Sequence, residues 1–242
     1  MELSVRFSPD LWLFLAPRNR RPEVCLPYDG TSSLGHVIES AGVPLTEIGG
    51  LTAADRPVDP SYRPSAGEVV EVRPVRRPQV VPGIRFLLDV HLGTLARRLR
   101  LVGLDTAYHN DMDDDALIEQ AGAEERVLLT QDRGILRRRS LRRGAYVRGA
   151  RPDDQFLDVL DRFRPPLAPW TRCTACNGSL APVGKAEVED ALEPGTRRSY
   201  DAFARCLSCG RVYWHGAHGD SLAALVGRAL HAVSQPQAVS RP

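Results

Sequence analysis

Four cysteines constrain this chain more than any other feature. They form two Cys-x-x-Cys pairs, Cys173 with Cys176 and Cys206 with Cys209, with 29 residues between the pairs. Two such knuckles match tetrahedral, four-thiolate binding of Zn2+, and a closed set of four ligands is structural rather than catalytic. The C-terminal region is therefore expected to be a zinc ribbon over residues 170–233, ending in a helix from Leu222 to Leu230. The stretch between the knuckles has room for a β-hairpin, and Gly178 and Gly210 follow the pairs as turn residues. The fifth cysteine, Cys25, sits in a strand pattern and is expected in a core.

The compartment follows from the same residues. Paired cysteines in a cytosolic chain favour metal over disulfides. No stretch of the 242 residues approaches a membrane span, which needs about 20 apolar residues. Met1 to Phe7 lacks the basic and then apolar pattern of a signal peptide. A cytoplasmic protein with no membrane partner is expected.

Residues 84–132 carry the candidate chemistry. The apolar run from Ile84 to Leu88 ends in Asp89, and the run from Val127 to Thr130 ends in Gln131 and Asp132. Between them lies the acidic cluster Asp111, Asp113, Asp114 and Asp115. Apolar residues at helical spacing follow Asp89, and Asp114 or Asp115 can cap the next helix. Leu104 to Tyr108 and Gly144 to Val147 read as further strands. Ile135 to Arg143 reads as a basic helix, and Phe156 to Phe163 as the last amphipathic one. This β-α alternation over 83–164 implies a parallel sheet with helices on its faces. In such sheets sites form at the C-terminal ends of the strands.

Carboxylates at that edge suit Mg2+ or Mn2+, hard ions that take oxygen ligands. Such ions polarise phosphate oxygens and lower the pKa of a bound water, which is what phosphodiester hydrolysis needs. Asp89 and Asp132 are the first candidates. Asp114, with Asp115 next, is the third, and Asp153 or Asp154 could complete the set. The bland reading of each is a helix cap or a surface charge.

Charge distribution points to the substrate. Arg133 to Arg151 holds eight arginines and no acid, against a net charge of only +2 for the chain. Arg97, Arg98 and Arg100 fall mostly on the polar side of the helix after Asp89. Together with Arg133 and Arg137 they are expected to hold an RNA backbone. The alternative is a solvated helix face. Tyr213 and Trp214 are expected to pack the ribbon or to stack on a base. His215 and His218 read as surface or RNA-contacting residues.

Residues 1–78 read as a separate unit of strands around a short helix from Leu34 to Ala41. Val24 to Leu26 is a strand, Gly49 to Leu51 a turn, and Gly67 to Val75 the closing strand. The order suits an α/β, β-grasp (ubiquitin-like) module that docks a protein partner. Pro74, Pro78 and Pro82 then form a stiff linker.

Several segments carry a resemblance in order: Phe86 to Asp89, Leu92 to Arg100, Arg126 to Arg133, and Tyr213 to His218. Together they resemble the Mut-seven C-terminal ribonuclease-like family. The resemblance implies a PIN-like fold, metal-dependent RNA cleavage, a zinc-bound C-terminal module and, in some members, an N-terminal ubiquitin-like domain. It implies that Asp89, Asp114 and Asp132 are the metal-binding carboxylates. The family usually reads Thr-Arg-Asp where this chain has Thr130, Gln131 and Asp132, so a positive charge is lost that Arg133 could replace. An RNA-binding adaptor without catalysis, and a phosphatase acting on a small substrate, are the competing functions.

Overall fold

The computed structural model describes residues 1–65, 67–214, 216 and 219–235. In chain order the first elements are β1 (Glu2–Phe7), β2 (Val24–Pro27), α1 (Leu34–Ser40), β3 (Ile48–Ala53), β4 (Arg56–Val58) and β5 (Val69–Pro74). Then come β6 (Phe86–Leu88), α2 (Gly93–Leu101), β7 (Thr106–Tyr108), α3 (Asp114–Ala123), β8 (Val127–Thr130), α4 (Arg133–Leu136), β9 (Gly144–Tyr146) and α5 (Pro152–Phe163). The last are β10 (Leu180–Val183), α6 (Lys185–Val188), α7 (Pro194–Ser199), β11 (Phe203–Cys206), β12 (Val212–Trp214) and α8 (Gly219–Ser234). These elements gather into two compact units, one of residues 1–79 with 113–146 and one of residues 80–112 with those from 147 onward.

The first unit holds the ubiquitin-like sheet, in the order β2-β1-β5-β3-β4. β1 runs antiparallel to β2 and parallel to β5. Alternation sends Leu3, Val5 and Phe7 inward, where α1 covers them with Leu34, Val37 and Ile38. The Ser33 hydroxyl caps α1 by accepting the His36 N–H. Two expectations change here. Cys25 is exposed, because the same alternation buries its neighbours Val24 and Leu26 and turns it outward. Gly49 and Gly50 are not a turn but lie within β3, where the register against β5 shifts between Ile48 and Gly50. A bulge is a common place for glycine inside a strand.

The same unit contains α3, β8, α4 and β9. β8 and β9 pair in parallel, with Leu128 opposite Gly144 and Thr130 opposite Tyr146. Val127 to Thr130 is buried at every position, as a parallel strand covered on both faces must be. The chain after β8 forms one helical turn instead of the expected helix to Arg143. A helix over this stretch would set Arg138 against Arg142 and Arg139 against Arg143, like charges four residues apart that destabilise it. Leu141 is buried instead, its N–H bonded to the Arg138 carbonyl. At the far end of β9, Tyr146 packs against the β-grasp core, and its N–H donates at 2.8 Å to Glu47, only 3% exposed.

In the second unit β6 and β7 pair in parallel, with Phe86 opposite Thr106. Phe86, Leu87 and Leu88 are fully buried, and the Phe86 ring meets Phe163 of α5 edge to face at 5.2 Å. α5 packs against both α2 and α8. The ribbon is a three-stranded antiparallel sheet, β10-β11-β12. The stretch between the knuckles contributes β10 and β11, and α6 and α7 lie between those strands. α8 is longer than the expected helix at both ends. His215, His218 and residues 236–242 of the tail lie outside the described residues. Among the described residues no helix is long and apolar enough to cross a membrane.

Candidate functional site

Asp89 directly follows the buried strand β6 and is itself 6% exposed. Its backbone stays extended, then a single 3-10 turn over 90–92 leads into α2. The loop is pinned from β7, whose last residue, Tyr108, donates its hydroxyl to the Val90 carbonyl at 2.8 Å. Gly93 makes that contact possible, because a Cβ there would lie 2.7 Å from the Tyr108 hydroxyl. A carboxylate this buried must be compensated by hydrogen bonds or a cation.

Asp132 follows β8 in the other unit, one residue further from the strand end. Its N–H donates to the Thr130 hydroxyl at 2.8 Å, and Thr130 is fully buried. Its Oδ1 accepts the Gly134 N–H at 2.5 Å and the Ile135 N–H at 3.4 Å, so Asp132 caps α4. Both bonds use Oδ1, and the residue is exposed. The cap therefore fixes the carboxylate without occupying Oδ2.

The acidic cluster divides its tasks. Asp113, not Asp114 or Asp115, caps α3 by accepting the Ala116 N–H at 2.9 Å. Asp114 and Asp115 occupy the first turn and are exposed. Asp115 forms an ion pair with Arg138. Asp114 shares a unit with Asp132, while Asp89 belongs to the other. Asp153 and Asp154 serve as ion-pair acceptors: Asp153 for Arg98 at 2.5 Å and Arg228 at 3.2 Å, Asp154 for Arg151 at 3.1 Å.

The arginines expected to hold RNA have different fates. Arg97 is exposed, and Arg98 is half-buried in its pair with Asp153. Arg100 is not on a polar face: it is 4% exposed. Its guanidinium donates to the carbonyls of Thr106 at 2.8 Å, Thr174 at 3.2 Å and Ala175 at 2.8 Å. Burial pushes its pKa down, against the pull of Cys173 and Cys176. The sequence carried a signal for this, since Arg100 falls four residues after Ala96 and eight after Leu92, on the apolar stripe of α2. Arg133 donates to the Leu13 carbonyl at 2.7 Å and lies over the rings of Phe14 and Tyr146 at 5.5 and 5.9 Å. It is committed to the β-grasp module and does not replace the charge absent at Gln131. Arg137 is exposed, with one long bond of 3.5 Å to the Glu39 carbonyl.

The four cysteines do converge. Their sulfurs all lie within 4.8 Å of one another, with Cys173 to Cys209 at 3.7 Å and Cys176 to Cys206 at 3.5 Å. A tetrahedron with Zn–S bonds of about 2.3 Å has edges of about 3.8 Å, so the donor set fits zinc. Gly178 lets the knuckles meet, because a Cβ there would lie 2.9 Å from the Cys206 sulfur. Burial opposes ionisation of Cys173, but the Tyr213 hydroxyl and the Cys176 and Ala175 N–H groups outweigh it and hold the thiol down at about 6. Cys176 is pushed up to about 12, since burial and the three neighbouring thiols outweigh the Gly178 N–H. Four thiols this close need a cation between them to ionise together, and a Zn2+ ion supplies one.

The residues that support this centre carry no local sequence signal. The Tyr213 hydroxyl lies 2.9 Å from the Cys173 sulfur, so this tyrosine belongs to the cysteine cluster, while Trp214 is 41% exposed. Asn177 accepts the Thr106 N–H at 3.0 Å and donates to Asp105 at 2.9 Å, and Arg172 pairs with Asp105 at 3.3 Å. With Arg100 these residues fasten the first knuckle to β7. No local spacing announces them, because their partners lie about 70 residues away.

Among known families, residues 84–226 match the Mut7-C RNAse domain and residues 1–80 match the Mut7-C ubiquitin domain. No curated protein and no solved structure matches the chain. The family match covers more than half the sequence, in the segments where the strand-end carboxylates and the cysteine cluster lie. The chain belongs to the Mut7-C RNAse domain family, with a Mut7-C ubiquitin domain at its N-terminus.

Proposed function

We propose that this protein is a metal-dependent endoribonuclease, with Asp89, Asp114 and Asp132 as the carboxylates that hold Mg2+ or Mn2+. The observation that carries the reading is the placement of Asp89 and Asp132. Each follows a buried parallel strand; backbone N–H groups of α4 hold the Asp132 carboxylate, and Tyr108 pins the loop after Asp89. Such an ion, when bound, polarises phosphate oxygens and lowers the pKa of a water.

The chain's own residues supply the rest. Thr130 and the α4 cap fix the direction of Asp132. The Tyr108–Val90 bond fixes the loop behind Asp89. Asp114, in the exposed first turn of α3 beside the capping Asp113, is the third ligand in this reading. Arg97 and Arg137 are exposed and suited to the RNA backbone. The zinc centre is structural, and Arg100 couples it to α2 and β7. In this reading residues 1–78, 83–164 and 170–233 are the ubiquitin-like, nuclease and ribbon modules of a cytoplasmic protein. The ubiquitin-like module is the part that would dock a protein partner.

Incubation of the full chain with labelled single-stranded RNA tests the proposal. Cleavage should require Mn2+ or Mg2+ and vanish in the Asp89→Asn/Asp132→Asn variant. Cleavage that persists in that variant, or in EDTA, sinks the carboxylate–metal mechanism. Binding of RNA without cleavage under any metal marks an RNA-binding adaptor instead.

A further inference from the structure

A groove of about 600 Å3 in the second unit runs between α2, α8 and the start of α5, a volume typical of small-ligand sites. On α2 the groove is lined by Thr94, Arg97, Arg98 and Leu101, which share one helical face by their spacing. On α8 it is lined by Leu222, Leu225 and Arg228. Asp153 joins the two walls: its Oδ1 takes Arg98 and its Oδ2 takes Arg228. This single carboxylate holds two guanidinium groups in place and cancels one of their charges. Arg97 is exposed, and its guanidinium makes no hydrogen bond or ion pair among the described residues.

The lining therefore carries three arginines against one aspartate, a surplus of two positive charges. Arginine is the side chain best suited to phosphate oxygens. A phosphodiester within a strand carries one negative charge, whereas a phosphomonoester carries about −1.5 to −2 near neutral pH. The surplus matches the monoester. Leu222, with the more buried Leu101 and Leu225, gives the groove an apolar wall of the kind that lines small-ligand sites. Leu222 is 39% exposed although it belongs to this wall, so apolar surface is open to a ligand.

We propose that this groove binds a nucleotide bearing a phosphomonoester, either free or at the end of an RNA strand. The proposal deepens the ribonuclease reading for its RNA form only, since a free nucleotide requires no cleavage. Arg97, with the Arg98–Asp153–Arg228 clamp, holds the phosphate, and the leucine wall holds the base. A nuclease with such a groove would prefer strands by the chemistry of their ends.

Fluorescence anisotropy on the full chain tests it, in the Asp89→Asn/Asp132→Asn background and without added Mn2+ or Mg2+, so that no step depends on cleavage. The ligands are one short RNA with a 5′-phosphate, a 3′-phosphate or two hydroxyl ends, with adenosine monophosphate and inorganic phosphate as competitors. One phosphorylated end should bind about tenfold more tightly than the hydroxyl form. Adenosine monophosphate should compete better than inorganic phosphate. Arg97→Ala and Leu222→Glu should each remove the discrimination while the protein keeps its zinc. Equal affinity for all ends, together with no binding of adenosine monophosphate, overturns the proposal. So does discrimination unchanged in both variants, or inorganic phosphate competing as well as the nucleotide. Wild-type protein that discriminates ends but cleaves nothing in Mn2+ would leave this site standing and remove the nuclease reading.

Discussion

The zinc ribbon and the strand-end carboxylates are two candidate metal centres built in opposite ways. The ribbon takes all four ligands from two short knuckles, whose sulfurs lie within 4.8 Å of one another. The carboxylates come from three separate stretches: a buried loop end for Asp89, the first turn of α3 for Asp114, a helix cap for Asp132. Soft thiolates in a closed set build scaffold. Hard carboxylates at strand ends, with open ligand positions, leave room for a substrate. The two centres should therefore fail independently.

The largest effect should come from breaking the ribbon. Cys206→Ser removes one of four thiolates, and the zinc content should fall from about one per chain to none. Elemental analysis reads the loss directly, and limited proteolysis should show residues 173–209 cut. Zinc retained in that variant would contradict a closed four-thiolate site. By contrast, Asp89→Asn/Asp132→Asn should keep its zinc while cleaving no RNA. Loss of zinc there would show the centres to be coupled.

The next effect tests what fastens the ribbon. Arg100→Ala leaves three carbonyls without their charged donor, and should lower stability by about 3 kcal/mol in urea unfolding. Arg100→Lys should not restore it, because an ammonium cannot reach three carbonyls in the guanidinium's planar fork. A smaller cost, about 1.5 kcal/mol, is expected for Arg133→Ala, which loses the Leu13 carbonyl and the faces of Phe14 and Tyr146. Hydrogen exchange should then rise at residues 133–146 and at 13–14 together, since they share a unit. Arg97→Ala should change stability least, by about 0.5 kcal/mol or less. If Arg97 proved as costly as Arg100, the division between committed and open arginines would be wrong.

That division also marks what was legible in the sequence. The cysteine spacing announced its own geometry because its ligands are local. The strands β6 and β8 were legible as buried apolar runs, and their ends pointed to Asp89 and Asp132. The helix to Arg143 was not, because propensity over residues 135–143 gave way to the burial of Leu141. Cys25 was misplaced by a one-residue error of strand phase, which is enough to turn a side chain from the inside to the outside. Arg100 looked like one more arginine in a basic helix. Only its position on the apolar stripe distinguished it, and its partners Thr174 and Ala175 lie 74 and 75 residues away. Long-range polar contacts of this kind leave no periodicity to read.

A crystal structure of the full chain in Mn2+ shows whether Asp89, Asp114 and Asp132 hold one divalent ion, as proposed. An anomalous manganese peak is expected, bonded to oxygens of Asp89 and Asp132, with Asp114 direct or through water. A peak bonded to neither aspartate, or none at saturating Mn2+ with the cysteine site filled, would contradict it.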